Sequence, residues 1–440
     1  MSSLTELSTA DRSVRHPWRL PAGGAFFLQA SIVVSFLSGS SSPTPLYAVY
    51  QSEWGFSPIT TTVVFGVYAL AVLAALLVFG SLSDHVGRRP VLLTAITMQA
   101  VAMVVLATAG GVPDLLLARV VQGLSTGAAM GAVGAGMLDL DRARGTVANA
   151  VAPMTGTATG SIAAGLLVQY LPAPTHLVYL ALLGIFVLQG VGVLLMAETS
   201  VPRAGALASL RPTFGVPRAA RRPVLVAIPV LIAIWALGGF YGSVAPAVVR
   251  LVTGSDSSLL GGLALFVLAG SGALTVLLLR NVRARTVMLF GIGALIAGVG
   301  LTLASVDGDS TAGFFAGTAV AGVGFGGGFQ GAIRTVVPLA APDERSGLLS
   351  TLYVVSYLAM GLPAVIAGFL VVHGGGLLPT TREYGWAVMG LAALALVGLL
   401  LPGRSSSKSV GSTVVVASSA PSSSPVSSTT EARAAALDRA

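Results

Sequence analysis

Gly80-Ser-Leu-Ser-Asp84-His85-Val-Gly87-Arg88-Arg89 is a short polar island in a very apolar chain. The residues before it, from about Thr60 to Phe79, are almost wholly apolar, and from Val91 onward the chain is apolar again. A carboxylate, an imidazole and two guanidiniums are thus confined, with glycines between them, to a turn joining two membrane-length helices.

The wider composition fits that setting. Of 440 residues 54% are hydrophobic and 9% charged, against about 25% charged in soluble domains. The mean hydropathy is +0.88. A bilayer-crossing helix needs about 20 apolar residues, and such runs repeat along the chain. The formal charge of +8 is spread as single arginines and small groups between apolar runs. Nucleic-acid binding wants a concentrated basic patch, so none is expected. The absence of cysteine excludes disulfides and thiolate chemistry. No Walker loop, zinc motif or nucleophile elbow is present, so no enzymatic chemistry and no cofactor are expected.

Apolar runs bounded by Gly, Pro and charged turns number about twelve, near 24–47, 58–81, 90–110, 114–138, 147–170 and 176–197, then 223–249, 258–279, 286–305, 312–338, 347–372 and 384–402. A basic leader with Arg12, Arg15, His16 and Arg19 precedes the first. The many spans that follow favour a cytoplasmic N-terminus over a signal peptide. Arg88, Arg89, Arg142, Arg144, Arg203, Arg211, Arg218, Arg221, Arg222, Arg280, Arg283, Arg285 and Arg345 fall in alternate loops. The positive-inside rule then puts both termini in the cytoplasm. The reading gives a tail over 1–23, a six-helix bundle over 24–198, a linker over 199–222, a second bundle over 223–403 and a Ser-rich disordered tail over 404–440. Near-exclusive use of arginine over lysine, with abundant Ala, Gly, Val and Leu, suggests a GC-rich bacterial source. The halves echo each other at an offset of about 200 residues: Val86-Gly-Arg-Arg-Pro-Val91 answers Asn281-Val-Arg283-Ala-Arg285-Thr-Val287, and Asp141-Arg-Ala-Arg144-Gly145 answers Asp343-Glu-Arg345-Ser-Gly347. Parallel halves around a midplane site are a transporter architecture.

The pattern set by Gly80, Asp84, His85, Gly87, Arg88 and Arg89 resembles the signature loop between the second and third helices of the major facilitator superfamily, with His85 where arginine is more usual. The resemblance implies an all-α membrane protein of twelve transmembrane helices in two pseudo-symmetric six-helix bundles. It also implies a conformational gate, in which Asp84 contacts the start of the eleventh helix near Arg345 to Leu349 and an arginine reaches Asp139 or Asp141.

Arg119 lies inside an apolar run, where a charge costs at least about 2.5–3.5 kcal/mol at the helix centre. Gln122 is three residues on and shares its helix face. Arg119, Gln122 and Gly123 resemble the superfamily's fourth-helix pattern, which in antiporters is associated with proton coupling. Gly156, Gly160 and Gly165 permit close helix packing and resemble a weakened fifth-helix antiporter motif without its proline. Every placed carboxylate falls in a loop, a terminus or a helix end, and His16, His85, His176 and His373 are peripheral. Polar and aromatic residues within spans, namely Gln29, Tyr68, Trp235, Tyr241, Gln330, Arg334, Tyr353 and Tyr357, are candidates for lining a cavity. Pro43, Pro45, Tyr47 and Tyr50 read as a helix end at the outer rim, and Gly322 to Gly328 as a packing or hinge region.

The expected function is a multi-pass, monomeric secondary transporter of the cell membrane. It would work by alternating access and export small apolar or amphipathic compounds, with protons as one candidate counter-ion. The alternatives are a proton-coupled or passive importer of a small metabolite, and a receptor or scaffold that has kept the fold. Its partners are the lipid bilayer and a small-molecule substrate.

Overall fold

The computed structural model describes residues 19–401. Most of the expected N-terminal tail, and the C-terminal tail with the disorder expected of it, lie outside that range. Among the described residues all regular elements are helical, and twelve are long and apolar enough to cross a membrane. They are α1 (Ala22–Trp54), α2 (Pro58–Phe79), α3 (Arg88–Ala107), α4 (Val112–Leu140), α5 (Arg142–Tyr170), α6 (Pro174–Leu195), α7 (Arg218–Ser243), α8 (Ser258–Leu278), α9 (Ala284–Asp307), α10 (Thr311–Leu339), α11 (Arg345–His373) and α12 (Leu377–Leu400). Side chains such as Phe27, Leu188, Leu225, Phe290 and Phe369 point outward, as a lipid-solvated surface requires.

Two large clusters of buried apolar residues mark the two six-helix bundles, one drawn from Ala25 to Met196 and the other from Ala220 to Ala395. The bundles meet along two seams. In one, α2 crosses α11: Gly66 faces Gly361 and Val365, and Gly368 lies against Thr62. In the other, α5 crosses α8: Gly262 lies against Ser161, and Gly165 against Ser258 and Leu259. Gly156 and Gly160 pack instead inside the first bundle, against Val34 and Ser38 of α1.

The prolines of α1 do not end it, contrary to the sequence expectation. The helix bends at Ser42 and resumes over Pro43–Trp54, because proline is tolerated at the first position of a new turn. In the second bundle α7 bends at Val244 and resumes over Ala245–Thr253 with Pro246 at its start. Each proline lacks an N–H and leaves the carbonyl four residues earlier without its helical donor. Those carbonyls belong to Gly39 and Gly242, and side chains take both. Gln122 Nε2 donates to Gly39 O at 3.0 Å, and Thr44 Oγ1 donates to Gly242 O across the seam at 3.1 Å. Each half thus interrupts its first helix at the corresponding place.

Candidate functional site

The bend in α1 prepares the site. Gly123 and Gly127 let α4 lie directly on α2, since a Cβ at Gly123 would meet Tyr68 O at 2.7 Å and one at Gly127 would meet Val72 O at 2.6 Å. This approach sets the Arg119 guanidinium 4.6 Å from the centroid of the Tyr68 ring, a cation–π arrangement. Arg119 Nη1 donates to Ser40 O at 3.0 Å and to Gln122 Oε1 at 2.5 Å. Its Nη2 donates to Tyr47 Oη at 3.1 Å. The side chain is fully buried, and its Nε has no partner. Asp114 does not neutralise it; that carboxylate accepts from Gly110 N at the helix start. Arg119 is thus a buried cation held by neutral dipoles and an aromatic face, with no carboxylate in contact.

A band of aromatic residues carries the site across to the second bundle. Tyr357 lies near Tyr68 and packs on Trp235 with ring centroids 5.2 Å apart. Trp235 in turn meets Phe329 edge-on at 6.0 Å. The indole Nε1 of Trp235 is buried and unpartnered, so this apolar wall keeps a hydrogen-bond donor to spare. Tyr353 is one turn of α11 from Tyr357.

Four residues expected to line the cavity are bonded elsewhere. Gln29 donates to Met196 Sδ at 3.3 Å, deep in the first bundle. Tyr241 hydrogen-bonds Thr318 at 2.7 Å, and Gln330 donates to Val276 O at 2.9 Å, both within the second bundle. Arg334 donates to Leu279 O and Val282 O and so caps the end of α8, because a cation is favoured at helix C-terminal carbonyls. Each side chain thus has a partner within its own bundle, although the Oε1 atoms of Gln29 and Gln330 stay buried without one.

The loop that begins at Gly80 forms a second polar centre on the arginine-rich face. Gly80 lies against Gly131 of α4. Arg88, almost fully buried, bridges Asp84 at 2.5 Å and Asp139 at 3.2 Å, and donates to Ser83 Oγ at 2.7 Å. Arg89 caps α6 through Val193 O and Leu194 O; Arg285 caps α12 through Leu399 O in the same way. Asp141 is not an Arg88 partner but the N-cap of α5, accepting from Arg144 N at 2.9 Å. His85 lies against Ser81 O and the 199–222 linker, whose Arg203 N donates to His85 O at 2.9 Å.

Glu198, an acid that the sequence reading passed over, closes this loop. Its carboxylate accepts from the backbone N–H groups of Arg88 and Arg89 at 2.8 and 3.0 Å, and from those of Thr199 and Ser200. Partial burial pushes its pKa up, but the four N–H donors together outweigh that and hold it below the ordinary carboxylate value. Gly87 has φ +102° there, and a Cβ would also strike the Glu198 carboxylate. The expected latch between Asp84 and the start of α11 is not made. Asp84 is engaged by Arg88, and the linker reaches α11 in its place through Thr213 to Ser346 and Gly215 N to Gly347 O.

The two hydrogen bonds that cross directly between the bundles among the described residues, Thr44 to Gly242 and Ser257 to Gln169, both lie toward the opposite face. Outside that seal a cleft of about 170 Å³ opens between the bundles.

The profile of the Major Facilitator Superfamily matches residues 30–357. Among solved structures, the crystal structure of the nucleoside transporter NupG superposes with a TM-score of 0.65 at 13% identity, covering 87% of this chain and 99% of that one. A mutant of the same transporter gives a TM-score of 0.65 at 12% identity, covering 85% and 99%. Curated protein sequences gave no match. With twelve spanning helices in two bundles and a profile match over most of its length, this chain belongs to the Major Facilitator Superfamily of transporters.

Proposed function

We propose that the protein is a secondary transporter of the cell membrane, working by alternating access with its arginine-rich face in the cytoplasm, and that it exports small apolar or amphipathic compounds. The observation that carries this reading is the buried Arg119, held without a carboxylate beside a seam lined by Tyr68, Tyr357 and Trp235. An aromatic wall with one spare donor and one fixed cation suits a compound of mixed polarity. Arg119, Gln122 and Gly123 resemble the antiporter fourth-helix pattern, which supports export; the proton coupling associated with that pattern finds no mid-span carboxylate among the described residues to carry it.

Coupling is the second element of the proposal. Among the described residues every Asp and Glu is in a loop or near a helix end; of the four in outer helix turns, Glu53, Asp307 and Glu383 are exposed and Asp114 is half-buried. A proton carrier within the membrane needs a group whose charge can be lost there, and arginine does not give up its proton. Substrate movement is therefore expected to proceed without a linked proton movement through the spans. In proteoliposomes carrying a pH-sensitive dye, amphipathic fluorescent compounds should leave saturably with no substrate-dependent pH change. Saturable flux with a matching pH change would reveal a proton route. Uptake of nucleosides in preference to those compounds would support the importer reading, the one suggested by the nucleoside transporters that share the fold.

A further inference from the structure

The cleft outside the seal is built from both bundles, and three of its polar groups have no partner among the described residues. Arg250, Gln51 and Thr61 line it together with Tyr47, Val371 and Leu377. Arg250 makes no ion pair and no side-chain hydrogen bond among the described residues, and neither does the Gln51 amide. Thr61 is 5% exposed, and its hydroxyl is buried without a partner. Buried hydroxyls in folded chains are normally satisfied, so this orphan in the cleft wall is a hydrogen-bonding group that the protein leaves unused. No carboxylate lines the cleft. Behind it, the Tyr47 hydroxyl is held by Arg119, so the field inside is positive from the mouth and from the wall.

We infer that this cleft is a binding site for a small organic monocarboxylate, its carboxylate on Arg250, a second polar atom on Gln51 or Thr61, and its apolar body against Val371 and Leu377. A single arginine flanked by neutral amide and hydroxyl groups balances one negative charge, not the two of a phosphate monoester. A guanidinium also matches the planar two-oxygen geometry of a carboxylate. The cleft of about 170 Å³ is smaller than the roughly 300–1,000 Å³ of sites for drug-sized ligands, which limits the body to a short chain or one ring. The inference concerns binding and stands whether or not the export reading holds.

Thermal unfolding of the purified full-length protein tests it, with benzoate and hexanoate as probes, benzamide and hexanamide as neutral counterparts, and chloride as the ionic control. The carboxylates should raise Tm in a saturable way, and the amides and chloride should not. Arg250→Gln should leave the unliganded Tm in place and weaken carboxylate binding at least about tenfold, the loss of one charge-assisted contact. Thr61→Val, which keeps the shape and removes the hydroxyl, should weaken it several-fold. The inference is overturned if neither carboxylate shifts Tm, if the amides shift it equally, or if Arg250→Gln binds carboxylates as the parent does. Because the readout is binding, loss of flux with binding intact would count against the transport reading alone.

Discussion

Arg119→Ala abolishes transport while the protein still inserts and folds. The guanidinium connects Ser40 and Tyr47 of α1, Gln122 of α4 and the face of Tyr68 on α2. Hydrogen bonds to a charged group contribute about 1.5–3 kcal/mol each. If two of them differ between the inward-facing and outward-facing states, the transport rate falls at least about 100-fold, since each 1.36 kcal/mol is a factor of ten. Stability changes much less, because truncation also removes the cost of keeping a charge out of water. Arg119→Lys separates charge from geometry. A single ammonium cannot reproduce the fork that binds Ser40 O and Tyr47 Oη at once, so a loss of about tenfold or more is expected even with the charge kept. Flux in proteoliposomes, paired with size-exclusion profiles of the same preparations, checks both variants. Parent-level flux in Arg119→Ala would remove the residue from the mechanism.

Gly298→Val should be the most damaging substitution to the fold. The α9–α10 contact is a glycine zipper in which Gly291, Gly298, Gly317, Gly324 and Gly331 bring the two backbones together. A Cβ at Gly298 would run into the backbone of Ala321 and Val320, and no side-chain rotation can clear it. Overpacking a well-packed core usually costs about 1–3 kcal/mol; here two helices must part along their length, so the upper end or beyond is expected. Gly293, in the same helix, has nothing within 4 Å of where its Cβ would lie. Gly293→Ala should therefore be silent. The yield of monodisperse protein and its Tm compare the two directly, and equal behaviour would contradict the zipper.

Much of this architecture could be read from the sequence, for a physical reason. A bilayer imposes runs of about 20 apolar residues, so the twelve helices stand out one by one, and a charge inside such a run, like Arg119, stands out with them. What depends on two distant segments meeting could not be read in that way. Tyr47 looked like a rim aromatic because nothing local shows that α1 restarts after Pro43 and swings its hydroxyl to Arg119. Glu198 looked like an ordinary helix-end acid because its partners are backbone N–H groups about 110 residues earlier, and backbone donors carry no sequence signature. Arg334 and Gln330 pulled in the other direction: intrahelical polarity suggested a cavity, whereas carbonyls of α8 and of the turn after it take their N–H groups. One signal could have been used sooner. A proline at the same place in each half, Pro43 and Pro246, marks two carbonyls that need outside donors, and both donors prove to be side chains of the first bundle.

The central claim is that the two bundles close alternately over the site between them. The chain has no cysteine, so introduced pairs can be spin-labelled without background. One pair, Ser52 with Ser255, spans the face that carries the cleft; the other, Arg144 with Arg280, spans the arginine-rich face. In lipid, with a compound that the flux assay shows to be transported, each pair should give two distances, with the short distance on one face growing as the long one grows on the other. A single distance in each pair that no transported compound shifts, or two pairs that lengthen and shorten together, would contradict the account.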